Sequence, residues 1–382
     1  MKQMGQLRKS RAAGLRRRMA VLSAGAALPA VLFSAGLARA QDATWLANPG
    51  SGNFNTPTNW STGTVPTGTA FFGASSVTNL FSVIGLTTVG GWTFNSGASA
   101  YTFTINGLVA LDFTGAGIAI NGGSASIIND AGMGFMNGST AGSASITNNL
   151  GLAFSNTSTA GNATITNTNP AGGVDFFNTS TAGNANITNA GTLNFHNGST
   201  AGSATIINNA GGLVGLSFFD TSTAGNATIT NNSGGGGTFF RDSSTAGNAT
   251  ITNNSGAQTE FFDTSTAGNA RLINNGAGIF DFSSSTGPAG NNVLSAGSLE
   301  GGGVFFLGAN QLTVGSNNLS TTVSGVISDC GPGNAVCEQT GATGGSLVKT
   351  GTGTLTLTGI NAYTGATTVT SKARSQHRLS PR

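Results

Sequence analysis

Phe218–Asn232 reads FFDTSTAGNATITNN, and Phe261–Asn275 reads FFDTSTAGNARLINN. Weaker copies precede both. Aligned on the glycine of STAG or its counterpart, the copies fall at Gly123, Gly142, Gly161, Gly183, Gly202, Gly225, Gly247 and Gly268, at intervals of 19 to 23 residues. A period near twenty that varies by insertion marks a solenoid rather than a globular domain.

The columns of this alignment separate inward from outward side chains. Two residues after the glycine stands alanine, from Ala125 to Ala270. Four after it stands Ile127, Ile146, Ile165, Ile187, Ile206, Ile229, Ile251 or Leu272, and six after it asparagine, from Asn129 to Asn274. The residues between wander, as in Ser145, Thr164, Asn186 and Arg271. Fixed and variable positions therefore alternate with period two, which predicts a strand with one packed and one wet face. Seven residues before the glycine comes Phe135, Phe154, Phe176, Phe195, Phe218, Phe240 or Phe261. Its neighbours include Arg241, His196 and Glu260. Burying an unpaired charge is costly, so the phenylalanine is expected to point in and its neighbours out into water.

One period is then one coil, paired with the next in parallel at about 4.8 Å. Phenylalanine, isoleucine and alanine each stack on their own kind. The fixed asparagines are expected to form an amide ladder that satisfies the turn backbone. The predicted fold is all-β, a parallel β-helix with coils of 19–23 residues, right-handed because neither hexapeptide triplets nor calcium β-roll motifs occur.

Charge is confined to the ends. Of 15 Lys and Arg, eight lie in the first 39 residues and four in the last eleven, leaving Arg241, Arg271 and Lys349 against all 12 carboxylates. A body of net −9 (3 − 12) has no basic stripe for phosphates, so nucleic acid is not an expected partner. The basic start, the apolar run MAVLSAGAALPAVLFSAGL and the small-residue site ending at Ala40 read as a secretory signal spanning 1–40, cut after Ala40. The mature chain then holds no segment that would cross a bilayer as a helix. Residues 41–112, with Trp45, Trp60 and Trp92, read as an N-terminal cap or β region, or alternatively as a sugar-binding domain with surface tryptophans. The repetitive helix is assigned to 113–292, further β-helix to 293–371, and a basic disordered tail to 372–382. Cys330 and Cys337 are expected to close a small loop as a disulfide in an oxidising compartment.

Chemistry is sparse. Neither His196 nor His377 has a nucleophile or acid implied by spacing, and no zinc, phosphate-loop or nucleophile-elbow motif occurs. No catalytic residue and no cofactor is assigned. One acidic column remains: Asp220, Asp242 and Asp263 each precede their glycine by five residues. They cap a turn, as Asn137, Asn156, Asn178 and Asn197 do in the same column, or they bind calcium.

Near the C-terminus the text changes. The stretches FFLGANQLTVGSNNLSTTVSGVIS at 305–328 and GSLVKTGTGTLTLTGINAYTGATTV at 345–369 resemble bacterial autotransporter passenger domains; LVKTGTGTLTLTG followed by NAYTGATTV is similar to the autotransporter-associated β-strand repeat. The resemblance implies export and display at the cell surface, or retention in the periplasm if no translocator is supplied. It implies no particular activity. The family's C-terminal translocator barrel has no counterpart before the sequence ends in TSKARSQHRLSPR, which suggests a truncated or frameshifted frame. The expected role is a non-enzymatic structural or adhesive stalk meeting a surface polysaccharide, a host or a neighbouring cell. A polysaccharide lyase or hydrolase on a β-helix, or a non-functional remnant, are the alternatives.

Overall fold

The computed structural model describes residues 40–82, 85–107, 110–168, 172–209, 215–232, 237–330 and 337–370. The segment read as a secretory signal, up to Arg39, and the basic tail read at 372–382 lie outside these residues, and Ala40 is the first of them. Every strand pair named below is parallel. The strands of a 14-stranded first sheet alternate along the chain with those of a 13-stranded second sheet. One coil runs Thr164–Asn167 in the second sheet, then Gly173–Phe176 in the first, and returns to the second at Asn186–Asn189. The architecture is a β-solenoid with a single short 3₁₀ turn at Pro57–Asn59 among the described residues.

Register follows the columns. Ile146, Ile165, Ile187, Ile206, Ile229, Ile251 and Leu272 are partners in succession. Nine phenylalanine rings from Phe113 to Phe282 stack with centroids 4.7–5.0 Å apart and planes within 11° of parallel. The rung spacing imposes this face-to-face geometry, which isolated rings avoid. The amide ladder is present. Asn129, Asn148, Asn167, Asn189 and Asn208 each donate Nδ2–H to the Oδ1 of the next asparagine at 2.7–3.1 Å, and the series runs on through Asn231 to Asn253. The second amide hydrogen satisfies a corner carbonyl, such as Gly151 from Asn129 and Gly237 from Asn208. A column of serines, Ser139 to Ser244, is also fully buried in the turn after each phenylalanine.

A third side of the coil begins as single rungs. Thr140, Thr159, Thr181, Thr200, Thr223, Thr245 and Thr266 bridge one another in order. From Val293 this side widens into a third sheet, Val293–Ala296, Gln311–Val314, Ser346–Lys349 and Thr367–Val369. The glycine between the third side and the second sheet sits at φ 61–65° in the eight aligned copies. A Cβ at Gly202 would lie 2.7 Å from the Gly183 carbonyl oxygen, so glycine is required by both conformation and space.

Stacking starts before the repeated text does. Thr69–Phe72, Leu86–Phe94 and Ala110–Ile120 already belong to the first sheet, and Ala100–Ile105 to the second. The cap proper is therefore shorter than composition suggests. Residues 45–61 cover the first coil's edge, with Trp45 N–H bonded to Phe71 and Phe54 N–H to Phe81. Trp45, Phe54 and Trp60 pack edge to face, and Trp45, Trp60 and Trp92 are each at most 2% exposed. Buried in this way, Trp45 and Trp60 are core of the cap and Trp92 is core of the coils, and none forms a surface for sugars.

Candidate functional site

The Asn and Asp column has one structural job. Asn137, Asn156, Asn178, Asn197, Asp220, Asp242 and Asp263 all adopt φ of 54–61°, a left-handed conformation that Asn and Asp tolerate. From Asn156 onward each side chain accepts the backbone N–H of its counterpart one coil earlier: Asn156 from Asn137 at 3.2 Å, Asp220 from Asn197 at 2.7 Å, and Asp242 and Asp263 from Asp220 and Asp242 at 2.9 Å. The contact needs only an acceptor oxygen, which explains why amide and carboxylate share the column. It gives the three acids a reason to be there without an ion. Like charges on adjacent coils repel, so Asp242→Asn is expected to raise stability by about 0.5 kcal/mol, and millimolar calcium to leave the melting temperature unmoved. A calcium-dependent rise that Asp242→Asn removes would assign the column to the ion instead.

The outer face of the first sheet is more structured than its variable sequence suggests. Phe177, His196 and Phe219 stack on successive coils with centroids 4.9 Å apart. His196 Nε2 lies 3.7 Å from Asp175 Oδ1. The Arg241 guanidinium continues the row, 4.4 Å from the centroid of Phe262 and 5.6 Å from that of Phe239. The signal was available in the sequence: four of these five consecutive outward positions carry flat rings and the fifth a flat guanidinium.

The same face also departs from expectation. Glu260 and Phe239 point away from the core, yet they are only 7% and 8% exposed. A later segment covers Glu260. The coil from Leu312 to its partner Leu347 takes 35 residues (347 − 312), whereas Leu347 to Thr367 takes 20 (367 − 347). The extra length carries Cys330 and Cys337, which are disulfide-bonded with Cα atoms 5.5 Å apart. Both cysteines pack on Phe306 against Ile279, Val304 and Ala342. Glu338 N–H donates to Asp281 Oδ2 at 3.0 Å, and Gln339 N–H to Ser283 Oγ at 3.3 Å. At the far end Asp329 Oδ2 accepts Gly344 N–H at 3.1 Å and both Thr364 N–H and Oγ1–H. Burial pushes the Glu260 carboxyl up to about 7, with Glu338 and Asp281 adding to the rise and Arg241 opposing it.

Lys349 turns inward from the third sheet and is 8% exposed, donating to the carbonyl of Thr350. Burial lowers its pKa. Arg271 and Glu300 form an ion pair on the second sheet, with Nη2 and Nε 2.6 and 3.0 Å from one carboxylate oxygen. No group of three or more His, Cys, Asp or Glu placed to hold a metal occurs among the described residues. No helix among them is long and apolar enough to cross a membrane.

A parallel solenoid whose columns are regular amides, hydroxyls and stacked rings is consistent with a structural protein. Residues 347–371 match the family model of the passenger-associated-transport-repeat. In the structure that match is one coil visiting all three sides: Ser346–Lys349 in the third sheet, Leu355–Leu357 in the second, Ala362 bridged to Ser328 of the first, and Thr367–Val369 back in the third. The chain thus carries the repeat of that family, and repeat and fold together support an autotransporter passenger domain. No curated protein and no solved structure matches it.

Proposed function

We propose that this passenger-like solenoid is a non-catalytic adhesive stalk, displayed beyond the inner membrane, whose wet faces hold a surface polysaccharide of a host or neighbouring cell. The repeat implies export, and repeat and fold fit a structural role. The observation that carries the adhesive reading is the spacing of uncharged hydrogen-bonding groups. On the second sheet Thr164, Asn186, Thr205, Thr228 and Thr250 form one outward column in register. Beside it, Asn226, Asn248 and Asn269 form a side-chain ladder at 3.1–3.2 Å, and Asn209, Asn232, Asn254 and Asn275 form another at 2.7–3.0 Å. A repeating polyol meets a repeating row of donors and acceptors with little charge to desolvate.

The test is retention of the purified chain on beads carrying neutral bacterial exopolysaccharide. Thr228→Arg with Thr250→Arg should weaken retention about fivefold, the equivalent of one lost hydrogen bond, while the melting temperature stays unchanged. Equal retention of variant and parent would defeat the adhesive assignment for this face.

A further inference from the structure

We propose that Cys337–Gly344 is a pH-operated clasp on the outer face of the first sheet, seated while Glu260 is protonated and released when Glu260 ionises beside Asp281 and Glu338. Three independent elements bring these acids together. Glu260 lies on Gln258–Phe261, and its in-register partners are Phe239 on one side and Asp281 on the other. Glu338 comes from the clasp itself, 78 residues later (338 − 260), and its backbone N–H binds Asp281. Arg241, just beyond Gly237–Phe240, is the cation that opposes the rise at Glu260, and it is held over the Phe262 ring. With Glu260 neutral, Arg241 faces the two carboxyls of Asp281 and Glu338; with Glu260 ionised it faces three, and the seated clasp traps a further, uncompensated anion under cover.

The anchors are suited to a reversible release. Glu338 and Gln339 are tied through two backbone amides to Asp281 and Ser283. Asp329 holds the base of the segment and the following coil, so lifting the clasp leaves the ladders intact. The rise of Glu260 to about 7 gives the direction. The seated state binds more protons than the released one between the ordinary glutamate range and pH 7. Its advantage is complete at the acid end of that window and is lost as pH rises through 7. Lifting would bare Phe306, only 4% exposed, and extend the open outer face from Phe262 along the solenoid.

Cys330 and Cys337 are 1% and 4% exposed, so reduction of their bond reports the lifted state. The full chain is treated with a water-soluble phosphine from pH 5 to pH 8, each rate being divided by that of an exposed reference disulfide at the same pH. The normalised rate should rise by roughly 70-fold with a midpoint near pH 7, while the circular dichroism of the sheets stays native. Glu260→Gln should remain slow at both ends, and Glu338→Gln should shift the midpoint to lower pH, because a neutral amide at that position no longer repels the ionised Glu260. A flat profile in the parent, an unchanged rise in Glu260→Gln, or loss of the sheet signal by pH 8 would each overturn the clasp.

Discussion

Asn189→Leu is expected to lower stability by about 4 kcal/mol, although leucine is apolar and close to asparagine in size. The side chain sits at 0% exposure at the corner between the second and first sheets. It accepts from Asn167 at 2.8 Å and from the Gly191 N–H at 3.3 Å, and donates to Asn208 at 3.0 Å and to the Gly191 carbonyl at 3.0 Å. Leucine removes all four contacts and supplies none. Two amide groups on neighbouring coils and both backbone groups of Gly191 are then left buried, and each unpaired group costs about 1–3 kcal/mol, less whatever the neighbours recover by re-pairing. Thr188→Leu, one residue away on the wet face, should change stability by no more than about 0.5 kcal/mol. Guanidinium denaturation of both variants checks the contrast. A loss under about 1 kcal/mol at Asn189 would mean that the ladder is ornament rather than frame.

Phe195→Ala should cost about 4 kcal/mol by a different route, the loss of buried surface and a persistent cavity. Its ring lies between those of Phe176 and Phe218, at 4.7 and 4.8 Å. Strands above and below fix the spacing, so the stack cannot collapse into the gap, and the cost should sit near the upper end for such truncations. Coupling adds a second readout. Phe195→Ala with Phe218→Ala should cost less than the sum of the singles, because both open one cavity. Phe113→Ala with Phe261→Ala, several coils apart, should be additive. Additivity in the adjacent pair would show that the rings do not behave as a continuous stack.

Most of this core was legible because the repeat samples each environment many times. A column that is always phenylalanine or always asparagine beside one that varies states its burial directly. The amide ladder could be anticipated for the same reason, as could the glycine turns. The first coils were harder to read. Phe72, Phe94 and Phe103 share the core but sit in dissimilar text, so no column formed, and their tryptophans suggested a separate cap. The third sheet was also hidden, because a single bridging threonine per coil leaves no two-residue periodicity. At the Asp column the turn was readable, but the bond to the preceding coil was not. Glu260 marks the clearest limit. Column logic assigned it to water correctly for its own coil, and only a segment from much later in the chain puts it under cover.

The return of the chain after each coil of 19–23 residues also sets how far apart in sequence its ladder partners lie. In this repeated region, lengthening the stack adds neighbours without lengthening any closure. Contact order, measured in residues, stays flat however tall the structure grows. Such a polypeptide can zip up from whichever end first reaches folding conditions, one rung templating the next, with the tryptophan-sealed end as a natural seed. It is a construction that suits material threaded unfolded through a narrow passage.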